Sequence, residues 1–317
     1  MSFRGDQDND FFASYKAASN KLKKRFMKKP NIAEAREEFG QLTKTLSQQG
    51  CSHYAAFCSL ALARCEQNMS NAPGEIQGLT EAGRHFLEAE KSLLDIMSPN
   101  FNEHGNCAMN CFDFAVKTCI TEDAPCFAAA LCYEMAQYLE NKGDYGIALV
   151  HYQRSAELGF QNILQSVYSL RKALSMKLLL GDYQGAMSSC TEILQQIPGQ
   201  NPSQSFSLLG LYSNLYTECE VLLVLLLLYM KPYPSKQKSF HRGVLQMYSS
   251  LSSTNPHQGM NEDLFILMQS LVVECKERNI TAIKYLQQEL SSHLTTEQNE
   301  LLMKTVIEFN ETATFAS

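Results

Sequence analysis

Apolar residues recur along most of this chain every three or four positions, the spacing that gathers them on one side of a helix. The every-second-residue alternation of a half-buried strand is almost absent. Phe11, Tyr15, Ala18, Leu22 and Phe26 form the first stripe, and Pro30 stops the helix that carries it. Ile32, Ala35, Phe39, Leu42 and Leu46 form the second, closed by Gly50. A third helix runs through HYAAFCSLALARCEQ from His53. Asn71 to Glu75 (NAPGE) reads as a turn, and a fourth helix follows from Leu79 to Met97. Ser98 to Asn106 reads as a loop.

The middle of the chain echoes itself. NKGDYGIALVHYQRSAELG (Asn141 to Gly159) and LLGDYQGAMSSCTEILQQIP (Leu179 to Pro198) both contain GDY-x-x-A, offset by 38 residues. Gly143 and Gly181 suit a tight turn between helices, and Tyr145 and Tyr183 can pack over it. Ala148 and Ala186 are small enough for two helices to approach closely, and Tyr152 and Cys190 take the next inward position. Met135, Ala136 and Leu139 supply a first-helix core for the earlier copy. The pattern resembles a tetratricopeptide helix pair, with Cys132 where an aromatic is usual and Lys177 where an apolar residue is usual. The expected fold is therefore all-α, a tetratricopeptide-like α-solenoid of stacked antiparallel helix pairs. Such architectures mainly hold other proteins.

Residues 1–9 read as a flexible start, 10–198 as helix pairs, 199–205 as a short linker, 206–309 as a C-terminal helical part and 310–317 as a flexible tail. In the C-terminal part helices are expected over HRGVLQMYSSL, EDLFILMQSLVVECKER, ITAIKYLQQELSSH and TTEQNELLMKTVIEF, the last opened by a Thr295–Gln298 capping box. Before them lies VLLVLLLLYM, from Val221 to Met230. Ten helical residues rise about 15 Å, roughly half of what a membrane span needs. Extending the run upstream to Phe206 brings in Asn214, Thr217, Glu218 and Glu220, and carboxylates are costly in hydrocarbon. The run reads instead as a core helix greasy on every side. Val221, Leu222, Leu223, Val224, Leu225, Leu226, Leu227 and Leu228 must then be covered all round, mainly by the chain itself or else by a partner. On this reading the helix stack holds more apolar surface than it can hide, and the isolated chain is expected to be poorly soluble.

Charge changes this picture locally. The chain carries 27 basic and 33 acidic residues, net −6, which argues against general nucleic-acid binding. Six of the nine residues of KLKKRFMKK are basic: Lys21, Lys23, Lys24, Arg25, Lys28 and Lys29. They make a solvated helix end or a docking site for an acidic groove. From Met260 onward nine acidic residues face four basic ones, so the two ends differ in sign. The opening residues show no export signal pattern, and the eleven cysteines, without a CxxC pair, read as reduced buried thiols. His104, Cys107 and Cys111 lack a fourth ligand for zinc, and Cys107 with Cys111 share a helix face as packing thiols do. No nucleophile elbow, phosphate loop or dinucleotide fingerprint occurs, so no enzymatic activity, metal or cofactor is expected.

Longer words of the sequence point further. SNKLKKRFMKKPNIAEA with EEFGQL, YAAF with LALARC, the PGE turn, LTEA, GDYQGA, CEVLLVLLLL, LFILMQSLV, AIKYLQQE and LTTEQNELL resemble, in order, the family of the 40-kDa huntingtin-associated protein. That resemblance implies a helical adaptor that binds huntingtin, about one to one, between its HEAT-repeat domains and stabilises it. It also implies an effector of an early-endosomal Rab GTPase that recruits huntingtin to early endosomes and regulates their motility. Peripheral association with endosomes, cytoplasmic residence and presence in the nucleus belong to the same implication. Mammalian members carry a long Pro-rich insert where this chain has only PGQNPSQS. Partner contact is expected at the basic cluster and beside the apolar helix. The alternatives are a vesicle-tethering or membrane-fusion attachment adaptor acting without huntingtin, and a chaperone-tail module, whose Lys/Arg/Asn clamp cannot be assembled from the two repeats.

Overall fold

A computed structural model describes residues 11–23, 30–99, 101–197, 205–231, 238–250 and 260–314, without the side chains of 205–211 and 312–314. Among these residues there are fourteen α-helices and no strand. The first seven are α1 (Phe11–Lys21), α2 (Ile32–Gln48), α3 (Ser52–Asn68), α4 (Ala72–Asp95), α5 (Glu103–Thr121), α6 (Pro125–Lys142) and α7 (Tyr145–Leu158). The rest are α8 (Ile163–Leu179), α9 (Tyr183–Gln196), α10 (Ser205–Met230), α11 (Ser239–Ser249), α12 (Glu262–Glu277), α13 (Ile280–Leu290) and α14 (Thr296–Thr314). The fold is all-α, with helix pairs stacked in the tetratricopeptide-like manner of an α-solenoid. By packing, residues 1–139 with 157–161 form one compact unit, and 140–156 with 162–317 form the other.

Several helix starts are set by side chains that satisfy the free N–H groups of a first turn. Asn31, Asn71, Asn162, Asp182, Asn261 and Asn279 each cap the helix that follows. The Thr295–Gln298 box closes reciprocally: Gln298 Oε1 accepts from Thr295 N–H at 2.8 Å, and Thr295 Oγ1 from Gln298 N–H at 3.4 Å. The cap at Asn71 changes the reading of NAPGE. Only Asn71 lies outside the helix, because Pro73 fits a first turn whose N–H groups are unpartnered anyway. Two further boundaries move. The fourth helix stops at Asp95, leaving Ile96 and Met97 outside it, and the next begins at Glu103 within the expected loop. At the other end α14 runs on to Thr314, into the expected tail. Phe309 is buried under the Lys231 ammonium, which lies 3.9 Å from its ring centre, and neither Gly nor Pro follows to end the helix. Residues 1–9, most of the 199–205 linker and 315–317 lie outside the described residues.

In the first unit α3 packs between α2 and α4, and α4 packs against α5. The contacts are built from small residues: Ala56, Ala63, Ala82, Ala108, Ala115 and Ala128 are buried in one cluster with Phe86 and Phe112. Gly83 faces the Phe112 ring so closely that an added Cβ would sit 2.9 Å from it, so α4 and α5 approach only because this residue has no side chain. In the second unit α10 is the hub. It packs on α9, α11, α12 and α14, and its apolar run lies in one continuous core with Ile193, Tyr248, Met268 and Leu302.

Candidate partner-binding surfaces

Val221, Leu222, Leu223, Val224, Leu225, Leu226, Leu227 and Leu228 are all buried within the second unit. Among the described residues this is the one helix long and apolar enough to cross a membrane, and most of it lies inside the fold. The apolar run therefore presents no surface to a partner. The physical case for a chain short of cover cannot rest on it.

Lys21, at the end of α1, is taken up internally: its ammonium meets Glu34 at 2.6 Å and Glu38 at 2.5 Å on α2. The hydrogen bonds to these two carboxylates hold its pKa above the usual lysine value. Lys23 is exposed, whereas Lys24, Arg25, Lys28 and Lys29 lie outside the described residues. Beside this corner a groove of about 500 Å³ opens between α1, α2 and the start of α3, lined by Phe11, Leu42, Thr45, Cys51 and Tyr54 among others.

The repeat positions come out as turn and core. Gly143 (φ 88°) and Gly181 (φ 75°) take the left-handed conformation at the ends of α6 and α8. Ala148, Ala186, Tyr152 and Cys190 are buried. Tyr152 donates its phenolic proton to Glu140, which also pairs with Lys172 at 2.9 Å, so one carboxylate ties α6, α7 and α8. Tyr183 packs edge-on to Tyr229 with ring centres 5.0 Å apart, but Tyr145 stands exposed. Lys177 is accommodated because its ammonium reaches Ser189 Oγ at 2.8 Å and the Gly185 carbonyl at 3.4 Å.

Among the described residues no three His, Cys, Asp or Glu side chains cluster as metal ligands would. His104 stacks on Phe86 and neighbours His53, and burial raises the Cys111 thiol to about 12, where it stays protonated and a poor ligand. Burial raises Cys58, Cys219 and Cys275 to about 12 as well.

His241 of α11 is buried against α9. Thr191 spends its one hydroxyl proton on the Met187 carbonyl at 2.8 Å, so His241 Nε2 donates to Thr191 Oγ1, also at 2.8 Å. Burial first, then the nearby Lys238 charge, lowers the His241 pKa below 6.5, and burial lowers His53 likewise. A lowered folded-state pKa means that the unfolded chain takes up more protons. Stability is therefore complete above about pH 6.5 and falls as the pH drops through the window below it. His241→Gln, which keeps a donor for Thr191 but does not titrate, should flatten part of that decline in urea-midpoint measurements between pH 7 and 5. An unchanged slope would remove His241 from the account.

Two features escaped the sequence. One is Arg171 of α8, whose guanidinium joins Glu218 of α10, Glu297 of α14 and Ser175. The other is the α4–α5 connection, where Leu94, Ile96, Met97 and Phe101 all project into solvent. The signal for the second was present. LLDIMSPNF continues apolar past the point where the amphipathic stripe of α4 should end.

Over 354 aligned residues the chain is 36% identical to the 40-kDa huntingtin-associated protein of Rattus norvegicus, covering 95% of this chain and 93% of the rat protein. The chain belongs to the 40-kDa huntingtin-associated protein family. The Mus musculus protein of the same name is 35% identical over 351 residues, covering 94% of this chain and 92% of its own length. No family model matches the chain. In this member of the huntingtin-associated family, Lys23 beside α1 and the α4–α5 connection are open to a partner, and the α10 run is closed.

Proposed function

We propose that this protein is a non-enzymatic helical adaptor that associates with huntingtin and stabilises it. The supporting observation is the identity of 36% across 95% of the chain to a relative named for that association. A stack of helix pairs suits a binding role. Association would favour the bound arrangement of both proteins by mass action. The same resemblance supports the finer parts of the proposal. The protein acts as an effector of an early-endosomal Rab GTPase, recruits huntingtin to early endosomes to regulate their motility, and is found in the cytoplasm, on endosomes as a peripheral protein, and in the nucleus.

Mixing the purified chain with purified huntingtin should give a stoichiometric complex on size exclusion, and early-endosomal Rab should be retained in its GTP-bound but not its GDP-bound form. Separate elution of the chain and huntingtin would end this reading in favour of an adaptor of another kind. Reversing Lys23, Lys24 and Arg25 to Glu should weaken the complex at low salt and much less at high salt, since exposed charges are screened within about 10 Å at 0.1 M. Equal affinity at low salt would return the cluster to the role of a solvated helix end.

A further inference from the structure

The connection between α4 and α5 presents apolar side chains outward from a tethered backbone. Leu94, Ile96, Met97 and Phe101 are all exposed within eight residues, with Met97 and Phe101 each 90% accessible. Yet the segment is held at both ends. α4 closes with paired turns, Ser98 N–H to Leu93 O at 3.0 Å and Met97 N–H to Leu94 O at 2.9 Å. Glu103 Oε2 accepts from the Phe101 N–H at 3.1 Å, and Tyr138 of α6 donates its hydroxyl proton to Asn102 Oδ1 at 2.7 Å. Below, the buried Glu90 carboxylate accepts from the Gly105 N–H at 3.2 Å.

Met97 is costly where it stands. It occupies the left-handed position (φ 52°) that follows a helix, a place where glycine is strain-free. The other residues of this conformation among those described are Gly50, Gly143, Gly181, Ser70, Asn102, Asp123, Lys231 and Arg278, glycine or polar in every case. A large thioether there adds backbone strain to exposed apolar surface. Exposed apolar clusters of this kind mark interaction sites.

The charges around the cluster narrow the occupant. Glu88, Asp95 and Glu103 are exposed beside it, with Lys91 the one exposed cation between Glu88 and Glu103. Such a rim repels the anionic headgroups of a membrane surface and repels the same rim on a second copy. We infer that the α4–α5 protrusion is an anchor that inserts Met97 and Phe101 into an apolar pocket with a basic rim on huntingtin, an inference that rests on the adaptor reading above.

The test compares the full chain with its Met97→Asn, Phe101→Ser variant. Asparagine tolerates the left-handed backbone, so the variant should melt at or above the wild-type temperature. Its affinity for purified huntingtin should nonetheless fall about 30-fold or more, as when buried anchors are truncated. Peroxide footprinting of the wild type should oxidise Met97 rapidly in the free chain and slowly in the complex. Equal affinity of variant and wild type, or oxidation of Met97 unchanged by huntingtin, overturns the anchor and leaves the adaptor reading standing. No binding by the wild type overturns both. Co-sedimentation of the wild type but not the variant with phosphatidylcholine–phosphatidylserine vesicles overturns the anchor in favour of a lipid surface. A wild-type dimer that the variant dissolves overturns it in favour of a second copy.

Discussion

Replacing Leu223 with Glu should unfold the C-terminal unit in the isolated protein, with no partner present. Leu223 is fully buried in α10, inside the core that α9, α11, α12 and α14 share. Truncation to Ala at such a site costs about 2–5 kcal/mol through lost transfer energy and the cavity left behind. An unpaired carboxylate in the same place adds a desolvation cost and brings the total near the ~5–15 kcal/mol that holds a typical domain together. Circular dichroism of the isolated chain should then show lost helix or a transition far below that of the wild type. Ile307→Glu on the exposed side of α14 is the control, expected to stay within about 0.5 kcal/mol. The opposite pattern, wild-type melting with lost huntingtin binding, would mean that the run is a partner surface after all.

That contrast shows where the sequence was sufficient and where it stopped. The 3.6-residue stripes and the GDY-x-x-A echo identify helix pairs because both depend on neighbours close in the chain. The run from Val221 to Leu228 is legible as buried because eight consecutive apolar residues cannot be left in water. What buries it is not legible, since α12 and α14 arrive from far downstream and only tertiary structure brings them together. Helix boundaries depart from the composition where capping outweighs it. Asn71 starts α4 despite Pro73 and Gly74, and the turn at Met97 ends it although LLDIM still reads as helix. The basic cluster illustrates another limit. Its six charges are equivalent as letters, yet Lys21 is committed to Glu34 and Glu38 while Lys23 faces solvent. Nothing local announces which lysine finds a carboxylate on the next helix.

Arg171 carries the second large effect. It reaches Glu218 at 3.3 Å and Glu297 at 2.8 Å, partners 47 and 126 residues away, and Ser175 Oγ at 2.6 Å. Its side chain is only 16% exposed. Burial works against its charge, but the Glu297 and then the Glu218 carboxylates more than offset that, so its proton is held more tightly than usual. Arg171→Met keeps much of the volume and removes the charge, leaving the Glu218 and Glu297 carboxylates without the cation they share. Breaking a fully buried pair costs about 3–5 kcal/mol. Glu218 and Glu297 remain 38% and 31% exposed, so water can reach them and the expected loss is smaller, about 2–3 kcal/mol. A double-mutant cycle with Glu297→Gln should return a coupling of about 1–2 kcal/mol that 0.5 M salt only partly erodes. Coupling below about 0.5 kcal/mol would show the contact to be an ordinary surface pair. In that case α14 would be held to α8 and α10 by apolar packing, with Leu302 and Val306 against the α10 core, and its docking would be insensitive to charge.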